Sequence, residues 1–124
     1  MTPKKYRQRR PYIAGPYRAD TPWKIQLNIR NAAEVNLALH KMGLAPFCPH
    51  MNSALFDGEC PDSVFLKAAM THLEAADFVV LVHGWENSSG TLAEVKHALE
   101  LGLPVYVWDY SDGTFLNNQI TRLP

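Results

Sequence analysis

The stretch that most constrains this chain is Phe78-Val79-Val80-Leu81-Val82. A continuous apolar run with two adjacent valines suits a strand covered on both faces, as in a parallel sheet. Gly84, Asn87, Ser88, Ser89 and Gly90 then break the run. Ser88 or Ser89 is placed to cap a helix beginning near Thr91. Strand, small-residue loop and helix N-terminus together make a place for an anion, because unpaired backbone N–H groups and the helix dipole point outward there. Glu94 is expected in the first turn of that helix, near the mouth of the same pocket.

The rest of the chain must form the sheet and layers this strand needs. At 124 residues with 47% apolar content it can fill one core, predicted as a single α/β domain over residues 11–124. Twelve basic and twelve acidic side chains balance, and no apolar run approaches the ~20 residues of a membrane span. Neither a membrane partner nor a secretory leader is expected. Cys48 and Cys60 have no paired-ligand spacing. Free thiols in a cytoplasmic setting are the simplest reading, and no metal or cofactor is indicated. Residues 1–10 hold five of the twelve basic side chains and read as a flexible basic terminus. Without them the body is mildly acidic, which argues against nucleic acid as partner.

In chain order, Pro11 to Ala14 reads as a short central strand, turning at Gly15-Pro16-Tyr17-Arg18. The small Ala14 and Gly15 leave room for close approach to the backbone. Thr21-Pro22 opens a helix to about Met42, with Ile25, Ile29, Ala32, Ala33, Leu37 and Met42 as its apolar stripe and Gly43 as its stop. Leu44 to Pro49 reads as a second, proline-bounded strand. His50 to Pro61 reads as a functional loop containing His50 and Asp57. Asp62 or Ser63 is expected to cap the next helix, ending near Glu74, with Val64, Phe65, Ala68, Ala69 and Leu73 inward. The helix from Thr91 to Leu101 and a strand over Val105 to Trp108 complete the order.

Alternating short strands and helices predict a three-layer, Rossmann-like or flavodoxin-like α/β fold with a mostly parallel sheet of four to five strands. Ligands of such sheets bind beyond the carboxyl ends of the strands. The turn at Gly15–Arg18, the loop from His50 and the Ser88–Glu94 loop all open on that edge. Arg18 suits phosphate or carboxylate, and Ser88, Ser89 and Gly90 add neutral donors. Glu94 is placed to act as nucleophile, as stabiliser of a cationic transition state, or as acceptor for sugar hydroxyls; Tyr12 and Tyr17 are placed to orient it or to stack on a ring. A carboxylate beside a sugar-phosphate site fits chemistry at an anomeric carbon, where oxocarbenium character needs negative charge nearby. The plainer readings are a helix acid favoured by the dipole, a surface ion pair for Arg18 and a solvated His50.

The segments Tyr12-Ile13-Ala14-Gly15-Pro16-Tyr17-Arg18 and Ser88-Ser89-Gly90-Thr91-Leu92-Ala93-Glu94 together resemble the nucleoside 2-deoxyribosyltransferase superfamily, which includes nucleoside 5′-monophosphate N-glycosidases. The flavour is that of its short phage and bacterial members, and the resemblance covers most of residues 11–108. It implies that Glu94 acts at the anomeric carbon and that Tyr12 belongs to the active site. It further implies phosphate contacts from Arg18 and Ser88; Gly15, Pro16, Ser89 and Gly90 are candidate neighbours in the same substrate site. A homodimer or larger assembly is also implied. Two departures stand out. Pro16 replaces a serine that the hydrolases use for phosphate, and Ala69 falls where they carry a carboxylate, leaving Asp57, Asp62, His50 or His72 to assist.

Two functions follow. One is cleavage or transfer at the N-glycosidic bond of a nucleoside 5′-monophosphate. The other is a non-catalytic nucleotide or nucleotide-sugar sensor, which the missing carboxylate at Ala69 would favour.

Overall fold

The structure, a computed structural model, describes residues 5–124; residues 1–4, part of the basic terminus, lie outside the described residues. The chain is tied to its body two residues before Pro11. The Ala45 amide donates to the Arg9 carbonyl at 2.8 Å, and the Asp77 amide to the Arg10 carbonyl at 2.8 Å. The Arg10 amide in turn donates to Asp77 Oδ2 at 2.7 Å.

The sheet has four strands in the order β1 (Pro11–Ala14), β2 (Phe78–Leu81), β3 (Val105–Val107), β4 (Gln119–Ile120). The first three are parallel, and β4 is antiparallel to β3. The strand expected over Leu44–Pro49 does not form. Pro46 and Pro49 lack the N–H a ladder needs, and only Phe47 bridges Tyr12. That bridge still covers the outer edge of β1: Ile13 N–H donates to the Phe47 carbonyl and Phe47 N–H to the Pro11 carbonyl, both at 2.9 Å. The fourth strand comes instead from the C-terminal tail, which returns through a turn where Asp109 Oδ1 accepts from the Ser111 amide at 2.9 Å.

The two-residue period of the strands divides the core into two layers. Ile13, Phe78, Val80 and Val82 pack with Ala32, Val35 and Leu39 of helix α1 (Pro22–Lys41), and with Trp108 and Phe115. Tyr12, Ala14, Val79, Leu81 and Val105 face the other way. They pack with Leu73 of α3 (Asp62–Glu74) and Val95 and Ala98 of α4 (Ser89–Glu100). This is the expected three-layer α/β fold. The strand parity matters later: it sends Tyr12 to the α4 side.

Several expected details shift. In α1 Ala32 of the expected stripe is buried, with Val35 and Leu39 beside it; Ile25, Ile29 and Ala33 are half-buried, while Leu37 and Met42 face solvent. Thr21 caps as expected, accepting from the Lys24 amide at 3.2 Å. The expected loop from His50 to Pro61 contains helix α2 (Pro49–Ser53), opened by Pro49 at its first position, and a 3-10 turn over Ala54–Phe56. Neither Asp62 nor Ser63 caps α3; Pro61 stands at the cap position without a side-chain bond. Val64 and Ala68 are exposed and only Leu73 of that stripe is fully buried. Helix α4 starts two residues before Thr91, because Ser88 is the cap, and Leu101 beyond its end is exposed.

The close approach expected at Gly15 is made by the protein itself. A Cβ on Gly15 would lie 2.6 Å from Cβ of Val82. The end of β1 can therefore lie against the end of β2 only without a side chain there. Among the described residues no helix is long and apolar enough to cross a membrane.

Candidate active site

The carboxyl ends of β1 and β2, the N-terminus of α4, α2 and the start of α3 surround a cleft of about 840 Å³. Gly15, Pro16, Arg18, His50, Asp57, Asp62, Ser88, Ser89, Gly90 and Glu94 all line it. Residues from four separate stretches of sequence thus meet at one place. Tyr12 does not line it: its side chain is fully buried behind Glu94.

Glu94 is 8% exposed and lies in the second turn of α4, in the buried stripe Thr91, Glu94, Val95, Ala98. Because the helix starts at Ser89, its first turn carries no acid. The dipole is therefore a weak reason for this carboxylate. Its partner is Tyr12, whose hydroxyl donates to Glu94 Oε2. Burial pushes the Glu94 carboxyl up to about 7, against the opposing effect of that hydrogen bond. Burial, with the neighbouring Glu94 charge, pushes the Tyr12 hydroxyl far above its usual range, so Tyr12 is a neutral donor. A buried acid that is half ionised near neutrality, at the wall of a cleft, is suited to general base, nucleophilic or cation-stabilising work.

The N-terminus of α4 lines one side of the cleft with hydrogen-bond donors. Ser88 Oγ accepts from the Thr91 amide at 3.2 Å and from the Thr91 hydroxyl at 2.9 Å. Those bonds fix the Ser88 oxygen and leave its proton free to donate. The first-turn amides of Ser89 and Gly90 have no acceptor within the helix. Gly90 has open space where a Cβ would stand.

Arg18 stands opposite, 49% exposed, with its fork already engaged. Its Nη1 donates to Asp57 Oδ2 at 2.9 Å, Nε to Asp62 Oδ2 at 3.0 Å and Nη2 to Asp62 Oδ1 at 2.6 Å; Nη2 also donates to Asp57 Oδ1. The arginine holds the Asp57 carboxyl below the usual carboxylate range. Asp62 thus serves Arg18 in place of the helix cap expected of it.

His50 is not solvated: it is 6% exposed, and Nε2 lies 2.8 Å from the Pro16 carbonyl. Since that carbonyl only accepts, Nε2 carries the proton, and Nδ1 is bare, buried and, among the described residues, without a hydrogen-bond partner. Burial lowers its pKa, keeping it neutral. Its N–H fixes the Gly15–Arg18 turn. His72 stacks on Phe47, ring centroids 3.9 Å apart, and does not line the cleft. Ala69 does line it, together with Phe65 and Leu66, forming an apolar wall where the resemblance expects a carboxylate. Thr91 and Asn87 are site residues missed by sequence reasoning. Thr91 was legible as a polar residue on the buried stripe three positions before Glu94. Both cysteines are free, Cys48 buried and Cys60 exposed, and among the described residues no cluster of three His, Cys, Asp or Glu could hold a metal.

The family described as "Domain of unknown function (DUF4406)" matches residues 10–107. No curated protein matches the sequence. Among solved structures, the 2-deoxyribosyltransferase from the psychrotolerant bacterium Bacillus psychrosaccharolyticus superposes with a TM-score of 0.60. The match has 19% identity and covers 79% of this chain and 70% of that one. The likeness shows the fold, which is that of the 2-deoxyribosyltransferases.

Proposed function

The chain belongs to the DUF4406 family, and from that premise we propose that it cleaves the N-glycosidic bond of a nucleoside 5′-monophosphate, with Glu94 acting at the anomeric carbon. The observation that carries this reading is the buried Tyr12–Glu94 pair at the wall of a cleft whose rim is a helix N-terminus. Tyr12 holds Oε2, so Oε1 is the oxygen that meets the sugar. As the C1′–N bond breaks, its electron pair leaves with the base, and the ionised Glu94 bonds to or stabilises the cationic C1′. Water then adds at C1′; its hydroxyl ends on the sugar and its proton, in sum, on the base. A second base taking the place of water gives the transfer variant. The phosphate would lie between the Ser88 hydroxyl, the Ser89 and Gly90 amides, and Arg18. No metal or cofactor takes part in this scheme.

Ala69 favours a second reading, a nucleotide sensor without turnover, because no carboxylate stands there to assist at the base or sugar. One experiment separates the two. Base release from a panel of nucleoside and deoxynucleoside 5′-monophosphates is followed by chromatography, with Glu94→Gln alongside. Release by the wild type and not by the variant supports the enzyme. Binding without release from any member supports the sensor.

The homo-oligomer implied by the resemblance fits the apolar surface of α2 and the segment after it, where Met51, Leu55 and Phe56 are exposed. Sedimentation of the wild type against Leu55→Lys tests it. A reduced, cytoplasmic compartment would keep Cys48 and Cys60 as thiols.

A further inference from the structure

Among the described residues Arg18 is the one arginine or lysine lining the cleft, and it is already paired twice. Arg18 meets Asp57 and Asp62 through four contacts that occupy Nε, Nη1 and Nη2. The local charge is therefore one positive against two negative. An anion arriving at the Ser88–Gly90 amides would meet net negative charge at the opposite rim. The pairing adds little to stability: the three side chains are 49%, 36% and 66% exposed, and exposed pairs contribute weakly.

The two aspartates differ in how they are held. Asp62 is the first residue of α3, and its backbone is set by that helix. Asp57 follows the 3-10 turn and precedes Gly58, whose φ of +84° is open to glycine and strained for other residues, with nothing within 4 Å of a Cβ there. Asp57 is therefore carried by a short exposed segment and Asp62 by a helix.

We infer that Asp57 and Asp62 are specificity-determining residues: they compete with a ligand's phosphate for the Arg18 fork, and so set how strongly the cleft prefers a monophosphate to its nucleoside. This deepens the proposed function and rests on its assignment of phosphate to this rim. A dianionic phosphate offers the fork more charge and more acceptor oxygens than one carboxylate. A neutral 5′-hydroxyl offers neither, so a nucleoside leaves the pair closed. The competition lowers monophosphate affinity and leaves nucleoside affinity untouched, so the two aspartates hold the preference for phosphate below what an unpaired Arg18 would give.

The test is calorimetric binding to the full chain of the four common deoxynucleoside 5′-monophosphates, their nucleosides, and inorganic phosphate. Wild type, Asp57→Asn, Asp62→Asn and Arg18→Gln are compared. Each aspartate variant is expected to raise the monophosphate-to-nucleoside affinity ratio about threefold to fivefold, and Arg18→Gln to bring the ratio down below the wild-type value. Inorganic phosphate should bind Asp57→Asn more tightly than the wild type. An unchanged ratio in both aspartate variants overturns the inference, and so does a fall, which would make the aspartates ligands of the substrate. Binding does not depend on base release. A chain that releases no base but shows the shifted ratio retains the inference while losing the enzyme reading. Base release with an unshifted ratio does the reverse.

Discussion

Tyr12 in β1 donates its hydroxyl to Glu94 Oε2 in α4, joining residues 82 positions apart in a buried hydrogen bond. Both side chains are on the α4 side of the sheet: Tyr12 by the two-residue period of β1, Glu94 by the helical stripe through Thr91, Val95 and Ala98. The bond gives the acid a fixed direction and an orphan oxygen, which is what chemistry at a single carbon requires.

Replacing Glu94 by Gln keeps the shape and the Tyr12 contact but removes the charge. Turnover of the active monophosphate should fall on the order of 10³-fold or more, with binding retained. Chromatographic base release together with calorimetry checks this; equal loss of binding and turnover would assign Glu94 to substrate holding instead.

Tyr12→Phe removes the one hydrogen bond that opposes burial at Glu94. The carboxyl should rise above about 7, its wild-type position. Activity that needs the ionised acid would then require higher pH. The acid limb of the pH profile of kcat should move to higher pH in the variant. A limb that stays in place would show that another group titrates there.

Stability should depend on pH through two groups of opposite sign. Glu94 titrates at about 7 folded against 4.5 unfolded, so the folded state holds the extra proton between those values. Its stabilising share is full below pH 4.5 and is lost as pH rises through 7. The loss is about 3 kcal/mol at most. His50 is shifted down from 6.5, so its share is present above pH 6.5 and is lost as pH falls through its folded value. Urea unfolding across pH 4–9 should show Glu94→Gln removing the decline that runs from pH 4.5 to about 7, and His50→Gln lessening the loss on acidification. A Glu94→Gln curve that parallels the wild type between pH 4.5 and 7 would contradict the burial argument.

Gly15→Ala should destabilise by about 1–3 kcal/mol, because the new Cβ needs the space of Val82. Val82→Ala alone should also destabilise, by leaving a small void in the α1-side core. The double variant should be more stable than the two losses summed. Strict additivity in denaturant midpoints would mean that the two residues do not compete for space.

The sequence alone determined the layers. The apolar run at Phe78–Val82, the Thr21-Pro22 start of α1 and the Ser88 cap act within a few residues, so local chemistry sufficed to read an α/β fold and a polar edge at Gly15–Arg18 and Ser88–Glu94. It misplaced elements whose form depends on partners distant in sequence. Leu44–Pro49 has strand-like residues, but two prolines and a single edge neighbour reduce it to one bridge at Phe47. Residues 119–120 carry too little pattern to announce a strand and become one because the turn at Asp109 returns them to β3. Roles of charged groups were decided only by the tertiary structure. Asp62 looked like a cap and is a partner of Arg18; His50 looked solvated and is buried against the Pro16 carbonyl. A carboxylate or imidazole takes its character from burial and from the nearest opposite charge, and both are set by residues 34 to 82 positions away. Local sequence fixes where backbone hydrogen bonds close; only the folded chain fixes which charges meet.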